Sequence, residues 1–161
     1  MANQFPNIVP AGFAGNVFDF NKAKIDRSGA LRIYTGQVAV PTGTVAGSKI
    51  GIIPVLKGAK VLVNGSSLWF DALGTSVTAS VGITYNPSST QTEASAQYVA
   101  AGNTTPAAGG NVLLNGVESG LYYVVLDSGW LTVTLAGATT TGSNVNVNYN
   151  VAIAYDFGAL Q

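Results

Sequence analysis

The chain contains no cysteine and no histidine. The first absence removes disulfide bridges, thiolate metal ligands and Cys-His nucleophiles. The second removes Ser-His-Asp systems, imidazole ligands and histidine acid–base chemistry. Charge is scarce too: Asp, Glu, Lys and Arg make up 9% of the 161 residues, against roughly 25% in an average soluble protein. No window approaches the roughly 18 uninterrupted apolar residues of a membrane span. Met1-Ala2-Asn3-Gln4 lacks the basic start and apolar run of an export signal, so neither a membrane partner nor an export route is expected. Asn64-Gly65-Ser66 and Asn103-Thr104-Thr105 match the glycosylation pattern, but without such a signal they read as accidents of an Asn/Thr-rich chain. A calcium loop of alternating Asp/Asn closing on Glu is missing, as are a phosphate-cradling glycine loop and a dinucleotide fingerprint. No metal and no cofactor is expected.

What is present fits one core. An apolar fraction of 47% supplies the material, and a chain of this size buries about two-thirds of its unfolded surface. The formal net charge is zero, a condition that weakens mutual repulsion and favours assembly. That zero conceals a split. Every Lys and Arg lies between Lys22 and Lys60, so residues 1–60 carry seven positive against two negative side chains, and the remainder carries five negative ones. Such asymmetry suits an acidic partner or a neighbouring copy. The basic residues are scattered without a cluster, which argues against nucleic acid.

Two regions differ in pattern. In residues 1–29, Pro6, Pro10, Gly12 and Gly15 recur among Phe5, Ile8, Val9, Phe13, Val17, Phe18 and Phe20, with neither helical nor strand periodicity. This reads as an extended N-terminal arm whose aromatics are buried against this subunit or another one. Residues 30–161 form a second unit of short Val/Ile/Thr/Tyr-rich segments broken by Gly, Asn, Pro and Ser, as in a β-sandwich or barrel. Strands are expected at Leu31–Val40, Ser48–Val55, Lys60–Phe70, Ser76–Tyr85, Val112–Asn115, Leu121–Leu126, Leu131–Ala136 and Val145–Tyr155. In the last, Val145, Val147, Tyr149, Val151, Ile153 and Tyr155 share a core face. Asn146, Asn148, Asn150, Ala152 and Ala154 share the other. Between strands, Thr90 and Glu93 have capping-box spacing, Ala94, Ala96, Ala100 and Ala101 favour helix, and Gly102 is placed to end it. A short helix is expected over Gln91–Ala101, with loops at 103–110 and 137–143.

Candidate chemistry is thin. A glycosidase needs two converging carboxyl groups, yet Asp71 lies at a strand end and Asp127-Ser128-Gly129 resembles a hairpin connection. The expectation is a protein that is not an enzyme. Trp69, Trp130, Tyr122 and Tyr123, with Asn side chains nearby, suit sugar stacking, although core or interface packing accounts for them more simply.

The stretch Gly51-Ile52-Ile53-Pro54-Val55-Leu56-Lys57-Gly58-Ala59-Lys60-Val61, followed by Leu68 to Gly82 with Asp71-Ala72-Leu73-Gly74-Thr75-Ser76, resembles the capsid decoration, or cement, proteins of tailed bacteriophages. Residues 48–155 follow that family's order of elements. The resemblance implies an all-β, jelly-roll-like antiparallel β-sandwich with one short helix. It also implies a structural virion protein, often a homotrimer, that binds the outer surface of major capsid subunits on the phage head and stabilises the shell. On that reading Phe5, Phe13, Phe18 and Phe20 are apolar anchors, and Lys22, Lys24, Arg27 and Arg32 add electrostatic complementarity. Similar Leu-Gly-Thr-Ser strands occur in phage tail and head-fibre proteins, so the alternative is a receptor- or glycan-binding module.

Overall fold

The computed structural model describes residues 31–115, 122–137, 139 and 145–155. Nine strands and one helical turn follow in chain order: β1 (Leu31–Val40), β2 (Lys49–Val55), β3 (Ala59–Phe70), β4 (Thr78–Tyr85), β5 (Ala94–Asn103), α1 (Thr105–Ala108), β6 (Gly110–Leu113), β7 (Tyr122–Val124), β8 (Gly129–Ala136) and β9 (Val145–Tyr155). All pairings are antiparallel. Sheet A runs β1-β9-β3, with β6 and β7 sharing the far edge of β3; sheet B runs β2-β8-β4-β5. Most successive strands cross between the two sheets, as in a jelly roll; the exceptions are β4 and β5, which pair directly within sheet B, and β6 and β7, which share one edge of sheet A.

Alternation drives this packing. Along β9 the six residues Val145, Val147, Tyr149, Val151, Ile153 and Tyr155 are buried, and they meet Ile50, Ile53, Val81, Ile83, Leu131, Val133 and Leu135 of sheet B in one continuous core. The expected sandwich and the expected faces of β9 are therefore the observed ones.

The expected helix over Gln91–Ala101 is not there: residues 94–103 form strand β5, and the helical turn lies at Thr105–Ala108, inside the segment expected to be a loop. Alanine's helix preference is a few tenths of a kcal/mol per residue, and burying Tyr98 and Val99 beside β4 outweighs it. Glu93 is spent on tertiary partners rather than on a cap, since its carboxylate takes Lys49 Nζ at 2.6 Å and the Thr84 hydroxyl. Pairing between β4 and β5 is wide-bulged: Ala79, Val81 and Ile83 face Asn103, Val99 and Ala94. The surplus chain swings over the outer side of sheet B, where the Ala94 carbonyl lies against Gly82. Ser80, Gly82, Trp130 and Thr132 on that side are consequently buried.

Burial of the Glu93 carboxyl works against its ionisation, but the hydrogen bonds from Lys49 and Thr84 and the Lys49 charge prevail and hold its pKa below the ordinary glutamate value. A carboxylate with a lowered folded-state pKa stabilises above its unfolded pKa, and that contribution is lost as pH falls through the folded value. Both side chains are about one-third exposed, so the effect is at most about 1 kcal/mol. We expect the stability difference between the parent and Glu93→Gln to shrink in urea titrations as pH is lowered from 7 to below roughly 4.

A second irregularity lies in β3. Leu62 faces Ala152 and Ser67 faces Asn150 on β9, so Val63, Asn64, Gly65 and Ser66 stand opposite Val151 alone. Gly65 turns the bulge with φ +84°, a conformation that side chains disfavour. The fully buried Ser66 repairs the ladder: its Oγ donates to the Leu62 carbonyl at 2.5 Å and accepts from the Ala152 N–H at 3.0 Å. Ser66→Ala leaves both backbone groups unpaired. A loss of about 2 kcal/mol and a Tm lower by roughly 4–8 °C are expected in calorimetry.

Candidate interaction face

The two sheets differ in what covers them. Sheet B has β5 folded over its outer side, whereas among the described residues no element covers the outward positions of sheet A. Strand register places those positions in rows. Leu31, Ala154, Lys60 and Val124 form one, and Ile33, Ala152, Leu62 and Tyr122 the next. Thr35, Asn150, Ser67 and Leu113 follow, and then Gln37, Asn148, Trp69 and Asn111. Eight large apolar residues are exposed among the described residues, and six of them (Leu31, Ile33, Trp69, Leu113, Tyr122 and Val124) stand on this face. Such concentration is what distinguishes an interaction surface from scattered exposed side chains, because monomers rarely show contiguous apolar patches above a few hundred Å².

The face has two ends. The first two rows are apolar, with Ala152 and Ala154 forming a low column between Leu31 and Ile33 on one side and Leu62 on the other. Lys60 is the one charged side chain among the outward positions of these rows, and its ammonium lies 5.2 Å from the Tyr122 ring centroid, a cation–π contact that keeps the charge against the surface. The far end carries amides around the half-exposed Trp69. Beyond it, Asp71 Oδ2 accepts from the Asn146 backbone N–H at 2.8 Å and from Asn146 Nδ2 at 3.1 Å, which fastens the start of β9.

Beneath the face are three tyrosine contacts. Burial, reinforced by a hydroxyl contact with Tyr34 at 3.3 Å, raises the pKa of Tyr155. Burial and the neighbouring Tyr123 hydroxyl push Tyr85 up to about 12. Burial also raises Tyr98, whose ring meets Tyr123 edge-on at 6.0 Å and whose hydroxyl has no partner among the described residues. All three stay neutral at physiological pH, so these hydroxyls are structural.

Of the residues singled out for capsid contact, Arg32 alone is described. It occupies an inward-register position of β1, half-buried, close enough to Tyr155 for its charge to act on that hydroxyl. Phe5, Phe13, Phe18, Phe20, Lys22, Lys24 and Arg27 lie outside the described residues. The two tryptophans part company: Trp69 is 54% exposed, whereas Trp130 is 8% exposed and packs on Gly51, where an added Cβ would sit 2.9 Å from the indole. Asp127 does the turn chemistry expected of it, whereas Asp71 ties its strand end to Asn146, 75 residues away. Asp127 Oδ1 accepts the Ser128 N–H at 2.8 Å, and hydrogen bonds from Ser89 and the Ser128 backbone lower its pKa. A shallow depression between β5 and β6, lined by Val99, Gly102, Asn103, Val112, Leu113 and Asn115, holds no titratable side chain. Among the described residues no cluster of three or more acidic, His or Cys side chains is suited to a metal ion, and no helix is long and apolar enough to cross a membrane.

No protein-family model matches the sequence, and no curated protein matches it significantly. Two solved structures match it in a structural comparison. A chain of the cyanophage Pam1 capsid asymmetric unit superposes with a TM-score of 0.54 at 20% identity, over 79% of this chain and 86% of that one. A chain from the acidic stable capsid structure of Helicobacter pylori bacteriophage KHP30 gives a TM-score of 0.44 at 10% identity, over 79% and 94%. The first likeness establishes a common fold. It is the fold that the cement-protein resemblance implied, found in a chain of a phage capsid unit.

Proposed function

We propose that this protein is a non-enzymatic structural component of a phage virion, seated on the outer surface of the head, where it binds major capsid subunits and stabilises the shell. The observation that carries the reading is the bare, nearly uncharged outer face of sheet A on a sandwich whose other sheet is covered. A surface of that kind suits a permanent structural partner better than a diffusing substrate, since apolar, charge-depleted cores mark stable interfaces. The shared fold with the Pam1 capsid-unit chain supplies the phage context.

On this reading the apolar end of the face and the N-terminal arm act together, because the chain enters β1 at Leu31, a corner of that end. Phe5, Phe13, Phe18 and Phe20 supply rigid anchors and Lys22, Lys24 and Arg27 a rim of positive charge; Arg32, on the inward register of β1, adds its charge from the strand edge and not from the outer face. Buried aromatics dominate the affinity of such contacts, and rim charges add little and are screened by salt. The protein acts as a homotrimer, with neither nucleic acid nor membrane as partner.

Co-sedimentation with purified heads and, separately, with purified tails tests the proposal. Retention by heads in high salt, and its loss on deleting residues 1–29, is the expected result. A truncated protein that still decorates heads with unchanged affinity would remove the arm from the mechanism. Retention by tails alone, or by neither particle, would remove the head assignment.

A further inference from the structure

We propose that the amide-rich end of the sheet A face, centred on Trp69, binds a neutral hexose-based glycan, an activity separate from head attachment. Three observations combine. Trp69 projects from the outer side of β3 and is 54% exposed, although its neighbours Leu68 and Phe70 are buried and nothing in the fold requires an indole there. Directly opposite it on the flanking strands stand Asn148 and Asn111, with Gln37 beyond Asn148 and Asn150 on the diagonal. Directly paired positions hold their Cβ atoms about 5 Å apart and diagonal ones about 7–8 Å, so Asn148 and Asn111 flank the indole, Asn150 lies on its diagonal, and Gln37, two strands away, extends the row of amides along which a sugar chain can lie. Lastly, these four amides make no hydrogen bond within the described residues, unlike Asn146, which Asp71 engages.

The chemistry selects the ligand. A pyranose offers an apolar C–H face for the indole and a rim of hydroxyls that both donate and accept, and Asn and Gln each supply donors and an acceptor in one plane. The four outward positions of the Trp69 row hold no charged side chain, which leaves nothing to select a phosphate, sulfate or carboxylate. A protein partner would favour an apolar rim that excludes water around such an anchor; here the rim is polar. Strand backbones fix the platform before the ligand arrives, which lowers the ordering cost of binding.

The test is affinity electrophoresis of the full chain in gels containing amylopectin, laminarin, mannan or dextran, with alginate as the charged control. Retardation by at least one neutral polymer and not by alginate is expected, weakened at least about tenfold by Trp69→Ala and largely restored by Trp69→Phe. Since Trp130 is buried, acrylamide quenching of fluorescence reads Trp69 directly, and the binding polymer should protect it. Migration unchanged in all four neutral gels overturns the proposal, as does retardation that survives Trp69→Ala. Protection of Trp69 in the sugar-free protein at assembly concentration overturns it too, by showing that a second copy occupies the platform. None of these outcomes depends on whether heads retain the protein.

Discussion

Gly82→Ala should destabilise the domain by roughly 3 kcal/mol or more, lowering Tm by about 6–12 °C. A Cβ built at Gly82 lies 1.8 Å from the Ala94 carbonyl oxygen and 2.5 Å from the Ser95 carbonyl carbon. Both are backbone atoms, so no rotamer change makes room, and the start of β5 must lift away from sheet B. Lifting it separates Glu93 from Lys49 and Thr84 and admits water to the outer side of Thr132 and Ser80, now 1% and 7% exposed. The loss therefore spreads beyond one methyl group. Gly43→Ala is the comparison: unlike Gly82 it has a positive φ, 77°, but nothing lies within 4 Å, and about 1 kcal/mol is expected from backbone strain alone. Calorimetry ranks the two, and hydrogen exchange at residues 94–99 should rise in Gly82→Ala and not in Gly43→Ala. Equal losses would mean that β5 yields easily and is not the fixed cover of sheet B.

Gly82 also shows which parts of the fold are legible in the sequence. Alternation is: the buried set of β9 can be read from Val145 to Tyr155 with no structure at hand, and so can Val77, Val81 and Ile83. A glycine inside an alternating strand signals a close approach but not by what, and the approaching segment was expected to be helical. The window holding Ala94, Ala96, Ala100 and Ala101 has helix propensity and no alternation. Its strand state comes from the free edge of β4 and from burial of Tyr98 and Val99, both set by the tertiary fold. The segment Lys60–Phe70 reads as one strand, and nothing in its alternation shows the bulge at Val63–Ser66 that Gly65 turns and Ser66 repairs.

The interaction face was half legible. In Leu68-Trp69-Phe70 and in Leu31-Arg32-Ile33, apolar side chains stand at outward positions next to buried or half-buried ones. An uninterrupted apolar run does not reveal which members face out; the register of the partner strand decides it. Nor does any sequence pattern show that Leu31, Ala154 and Lys60 share a row, because that row joins three strands through pairings across more than eighty residues. The neutrality of the whole chain was the accessible hint, and it pointed to association without saying through which surface.

Placing glutamate at Ile33 and Leu62 together should abolish retention by heads while leaving the domain folded. Ile33 is 66% exposed and Leu62 half-buried, and Ala152 separates them in their row, which puts the new carboxylates about 10 Å apart across three strands. In the free protein both remain hydrated, and the cost stays near 1 kcal/mol. In a closed interface each is desolvated without a partner, which costs several kcal/mol and weakens binding by more than about a hundredfold. Raising the salt does not restore binding, because screening acts on exposed charges and leaves desolvation in place. Val45→Glu, at a residue 65% exposed in the turn between β1 and β2, controls for added charge off the face and should sediment with heads as the parent does. If the double variant keeps its cooperative melting and its place on the head, the apolar end of sheet A is not the seat, and the arm alone must carry attachment. If both variants are lost equally, net charge governs the association and the face has no special part in it.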